Sequence, residues 1–134
     1  MRAALALALV LVLAGCGGRS HACDELGGVV DRWLAAELAS ATAKASPTDR
    51  AAADEIARQL HPALRDALLQ SCRDTKWASD TIACVAAAAD DAAARACPLT
   101  RDQADALAAV LMNTTAKVLE GSGGPTPDAA PLAP

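Results

Sequence analysis

Large side chains are scarce in this chain. It has no Phe and no Tyr, and Trp33 and Trp77 are its only aromatic residues. Alanine dominates, followed by Leu, Asp and Arg. Alanine is the best intrinsic helix former, so the composition is helical before any pattern is considered. It also buries little area, which leaves a thin core, and a small domain with a thin core needs covalent staples. The same scarcity limits partners. Bases have almost nothing to stack on. A formal charge of −4 without a Lys/Arg cluster argues against nucleic acid and anionic headgroups as main partners.

The N-terminus carries an address. Met1 and Arg2 precede an unbroken apolar run from Ala3 to Val12. That run is too short to span a bilayer, which takes roughly 20 apolar residues, and suits the apolar region of a secretory signal peptide. It ends in Leu13-Ala14-Gly15-Cys16, which resembles the lipobox of bacterial lipoproteins. The resemblance covers residues 1–16. It implies removal of residues 1–15, a diacylglyceryl group on the Cys16 thiol and, as a rule, acylation of the new Cys16 amine. The alternative is an ordinary signal peptide whose Cys16 pairs with another cysteine. Each buried methylene contributes ~0.8 kcal/mol, so two or three chains attach the protein durably without a transmembrane helix. Membrane lipid, reached through acylated Cys16, is then one partner. Gly17 stands where enteric lipoproteins retained at the inner membrane tend to carry Asp, which points to the outer membrane.

Cleavage leaves 119 residues with a formal charge of −5, enough for one small domain and a tail. Residues 16–22 form a short polar tether. A first helix is expected from Cys23 to about Ala45, with Leu26, Val30, Trp33, Leu34, Leu38 and Ala41 on one face and Gly27-Gly28 weakening its first turns. Ser46-Pro47-Thr48-Asp49 starts a second helix, through a cap, a first-position proline and a favourable charge. It runs to Cys72, with Ile56, Leu60, Leu64 and Leu68 facing inward. Pro62 should kink it, or split it after Leu60. Arg73 to Ala78 is a connector holding Trp77. Ser79 caps a third helix, Asp80 to Ala89. Asp90-Asp91 breaks or restarts it, and Ala92 to Cys97 adds a turn or two. Thr100-Arg101-Asp102-Gln103 matches a capping box and opens a last helix to Leu119, with Leu107, Leu111, Thr114 and Val118 inward. Residues 120–134, rich in Gly, Ser, Pro, Thr and Ala, should be a disordered tail.

Beyond Cys16, an exported chain with Cys23, Cys72, Cys84 and Cys97 reads as two disulfides, and no Cys-x-x-Cys redox motif occurs. An antiparallel hairpin turning at Ser46-Pro47 brings Cys23 opposite Cys72. Cys84 and Cys97 lie about equally far from Asp90-Asp91. The expected pairing is Cys23–Cys72 with Cys84–Cys97. Its rival is Cys72–Cys84, symmetric about Ala78, with Cys23–Cys97. In addition, Cys72-Arg73-Asp74, Trp77-Ala78-Ser79, Cys84 and Cys97-Pro98-Leu99-Thr100 with Gln103 resemble a module of small secreted or lipid-anchored helical proteins of myxobacterial type. The resemblance implies no activity; it supports structural cysteines.

Catalytic chemistry has little to stand on. The acid pairs Asp24-Glu25, Asp54-Glu55 and Asp90-Asp91 are sequence neighbours, which diverge by about 100° on a helix and do not face one substrate. No nucleophile elbow, phosphate-cradling loop or zinc-protease motif is present. Ser71 has no base placed to activate it. His21 and Cys23 with His61 would make a metal site only with a free thiolate; His61 beside Pro62 reads more simply as a surface or kink residue. Trp33 and Trp77 are either interface anchors or core filling. The expectation is an all-α, four- to five-helix, disulfide-stapled bundle in the bacterial envelope, with no catalytic residues, no metal and no cofactor. Its role would be structural or protein interaction with an envelope protein. The alternative is a carrier of a small apolar or metal ligand.

Overall fold

The computed structural model describes residues 18–123, and side chains from residue 22. Cys16, the lipobox and the expected tail beyond residue 123 lie outside the described residues. The fold is all-α. Six helical segments make up the described residues: α1 Gly18–Glu25, α2 Gly27–Ala43, α3 Arg50–Asp74, α4 Ser79–Ala87, α5 Asp91–Arg95 and α6 Arg101–Gly121. Only Leu26 separates α1 from α2, so the two run as one interrupted rod and the bundle has five.

Residues 18–22, expected as part of a tether over 16–22, lie instead in helix α1. The interruption falls at Leu26, directly before the Gly27-Gly28 pair expected to weaken the first turns. Gly27 is a point of close approach: a Cβ there would stand 2.8 Å from Nη2 of Arg65. Only glycine lets the guanidinium from α3 come so close, and Arg65 also pairs with Asp31 at 3.1 Å.

Ser46 does not cap the helix as expected: the helix starts at Arg50 with Asp49 at its N-cap and no side-chain cap bond, and Ser46 closes the turn before it. Its hydroxyl accepts from the Asp49 N–H at 3.3 Å, and Asp49 N–H also bonds the Ser46 carbonyl at 3.0 Å. That turn then hands over to α3 at Arg50. Pro62 does not split α3, which continues from Arg50 to Asp74 around it. Pro62 and Arg58, whose carbonyl loses its helical partner, both lie on the exposed face of the helix.

Helix α3 is the central element. It packs most extensively against α6 on one side and α2 on the other. Helices α4 and α5 close one end together with α1. The core sits at that end: Cys23, Leu26, Val29, Val30, Trp33, Leu69, Cys72, Trp77, Ile82, Val85 and Cys97. Leu26 and Val30 are fully buried, as their place on the inward face requires. Among the described residues, the other half of the bundle has none that is buried: Leu38, Ile56, Leu60 and Val118 are half-buried, and Ala41 is exposed. Alanine neighbours are too short to cover them.

Candidate functional site

Both disulfides lie at the closed end, which we term the base. Cys23 is bonded to Cys72 with Cα atoms 6.0 Å apart, and Cys84 to Cys97 at 5.8 Å. This is the expected pairing, and the rival does not occur. The first bond ties the start of the α1–α2 rod to the end of α3, closing the hairpin opposite its turn. The second ties α4 to the strip after α5.

Polar contacts lock the base further. The Thr100 hydroxyl accepts from the Gln103 N–H at 3.2 Å, and the Gln103 carbonyl oxygen accepts from the Thr100 N–H at 3.1 Å, completing the capping box. The Gln103 amide then donates to the Thr75 carbonyl at 2.9 Å, joining α6 to the end of α3. The Thr81 hydroxyl donates to the Pro98 carbonyl. The Arg73 guanidinium reaches Asp24 at 2.6 Å. Asp90 caps α5, accepting from the Ala93 N–H at 2.8 Å. Ser79 does not cap α4; that position belongs to Ala78, which has no side chain to offer. Trp77 is buried, and its backbone N–H donates to the Cys72 carbonyl at 3.2 Å, which ties the connector to the end of α3.

Trp33 is 6% exposed and Trp77 3% exposed. Neither presents a ring to a protein partner, so the interface-anchor option for both is corrected to core filling. With no other aromatic residue, these two are the largest side chains in the core at the base.

The open half carries the features of a site. A groove of about 560 Å3 runs between α2 and α3, floored by Ala35, Leu38, Ala39 and Ala57, and is open to solvent along its length. Asp54, Arg58 and His61 stand along its α3 wall. A second, smaller apolar groove lies on the other flank of the same helix pair, between Leu38, Ala41, Ile56 and Leu60. It opens because α6 ends short. Ser122 meets Gln59 at 3.0 Å, so among the described residues no third helix lies beside the turns of α3 before Gln59. Sequence reasoning missed the groove. The available signal was the i, i+4, i+7 spacing of Asp54, Arg58 and His61, which sets all three on one face.

His61 is not a free surface residue. Its Nε2 lies 3.1 Å from the Asp31 carbonyl, and as the N–H tautomer it donates there, bridging α2 and α3. The His21 side chain lies outside the described residues, and Cys23 is consumed by its disulfide. Among the described residues, no group of three or more His, Cys, Asp or Glu side chains gathers to hold a metal ion. The acid pairs are solvated or structural: Asp24 holds Arg73, and Asp90 caps α5. Asp91 pairs with Arg95 at 2.5 Å, and that hydrogen bond and charge raise the Arg95 guanidinium above its ordinary value. Ser71 is buried, with no hydrogen-bond partner for its hydroxyl among the described residues and so no base beside it. No described helix is long and apolar enough to cross a membrane. Comparison with protein-family models, with curated proteins and with solved structures finds no match for this chain.

Proposed function

We propose that this is a lipid-anchored protein of the bacterial cell envelope, attached through acylated Cys16 at the outer membrane, and that it acts there as a non-catalytic protein-interaction module. The observation that carries this reading is the division of the bundle into a stapled base and an open apolar end. Helix α1 includes Gly18, two residues after Cys16, so an acyl anchor would hold the base next to the lipid. Asp54 lies 18 residues from Cys72 along α3, which at 1.5 Å per residue is about 27 Å from the base. The groove beside it would therefore face away from the membrane, toward other envelope proteins. Its length and openness suit a chain-like partner, such as a helix or an extended segment, better than an enclosed small molecule.

Photo-crosslinking in the native envelope tests this reading. A crosslinker replacing Leu38, in the groove, should give a discrete adduct with another envelope protein. One replacing Lys117, on the exposed side of α6, should give none. Both the adduct and membrane retention should be lost in Cys16→Ser. Equal labelling from both positions, or an adduct that survives Cys16→Ser undiminished, contradicts the proposal.

A further inference from the structure

The smaller groove, on the flank where α6 stops, plays no part in the interaction reading. It measures about 200 Å3, and Leu38, Ala41, Ile56 and Leu60 are among its walls, which carry no charged side chain. Ile56 and Leu60 are only half-buried, so apolar surface stays in water there. Helix α6 leads to this groove. Its first turn meets the end of α3 through Gln103 and Thr75, and its end meets Gln59 through Ser122. The chain therefore travels along α3 from Thr75 toward Gln59, and the groove lies on the next two turns of α3. Gly123 then adopts a left-handed conformation, with φ of +64°, which ends the helix and redirects the chain.

We propose that the segment from Ala129 to Leu132 folds back onto this groove and covers it, with Leu132 against Ile56. The lengths agree. From Leu60 to Ala53 the groove extends about 10 Å along α3. Residues 129–132 in a polyproline conformation extend about 12 Å, and residues 124–128 supply the slack from Gly123. The chemistry agrees as well. The stretch from Ala129 to Pro134 has no polar side chain, and Leu132 is the one large apolar residue after Gly123. Pro125, Pro127 and Pro131 stiffen the segment, so docking orders less of it. The tether does the rest: it holds the segment at an effective concentration on the order of millimolar, enough to populate a contact too weak for a free peptide. Composition gives these residues no fold of their own, and the groove offers the apolar surface they lack. Docking on this flank requires neither the lipid anchor nor a partner in the larger groove.

Isoleucine supplies the test, because Ile56 and Ile82 are the only two in the chain. Ile56 lines the groove and Ile82 is buried at the base. The full chain in lipid nanodiscs would be labelled at the isoleucine δ-methyl groups and at leucine. The Ile56 methyl should show nuclear Overhauser cross-peaks to Leu132. Removing residues 124–134 should shift the Ile56 signal and leave Ile82 in place. Leu132→Asp should lose the cross-peaks and reproduce that shift, without touching any helix. A synthetic peptide of residues 124–134, added to the truncated chain, should return Ile56 saturably toward its position in the full chain. The proposal is overturned if removal leaves Ile56 unmoved, if it moves Ile82 as much as Ile56, or if Leu132→Asp keeps the parent signal. An Ile56 signal that survives truncation and moves with protein concentration overturns it in favour of a second copy of the chain.

Discussion

Thr100 and Ser79 look alike in the sequence, each a hydroxyl residue just ahead of a helix, yet only Thr100 closes one. Its oxygen satisfies the Gln103 N–H, whereas Ser79 already lies within α4 and makes no such bond. Thr100→Ala should therefore cost about 1 kcal/mol of stability, and Ser79→Ala no more than a few tenths. Urea denaturation of the two variants checks the contrast; equal losses would show that the cap geometry is misread. The adjacent glycines divide in the same way. A Cβ on Gly28 meets nothing within 4 Å, so Gly28→Ala should stabilise the protein by about 0.5–1 kcal/mol, read as a higher denaturation midpoint. Gly27→Ala should lose that gain, because its methyl group displaces the Arg65 guanidinium from its place beside Asp31.

At the scale of the helices, the hairpin of α2 and α3 was legible because it is symmetric. Cysteines equidistant from Ser46-Pro47 have to meet, and the restart at Asp90-Asp91 does the same for Cys84 and Cys97. The last helix was legible through Thr100 and Gln103, a signal that needs no tertiary knowledge. The grooves were not. They depend on where α6 stops against Gln59 and on how Leu38 meets Ala57, and neither is encoded in local pattern. Pro62 misled in part, because it lies on an exposed face and the helix continues through it. The two staples should differ in strength. In the chain-entropy account, a loop with a sequence separation of 13 is worth ~3 kcal/mol and one of 49 is worth ~4 kcal/mol. Replacing Cys84 and Cys97 by Ala should accordingly leave a folded but weakened protein. Replacing Cys23 and Cys72 should cost more, because that bond also fixes the register of the hairpin. Thermal denaturation under oxidising conditions gives the order, and the reverse order would contradict this ranking.

Over the whole molecule, stability and openness occupy opposite ends. The buried side chains, both disulfides and the long-range polar bonds of Gln103, Thr81 and Arg73 gather at the base. The far end is built of half-buried Leu, Ile and Val between alanines, and Met112 and Leu119 are exposed on α6. A scaffold so divided can hold its anchor end rigid while its other end adapts to a partner. Residue-resolved native-state hydrogen exchange tests this directly. In the oxidised protein, amides around Val30, Leu69 and Ile82 should exchange only through global unfolding. Those of the α2–α3 turn region, from Ala39 to Ala57, should exchange through local opening at lower free energy. Reduction of the disulfides should abolish the difference by collapsing protection at the base. Uniform protection along α2 and α3, or base protection that survives reduction unchanged, would contradict the account.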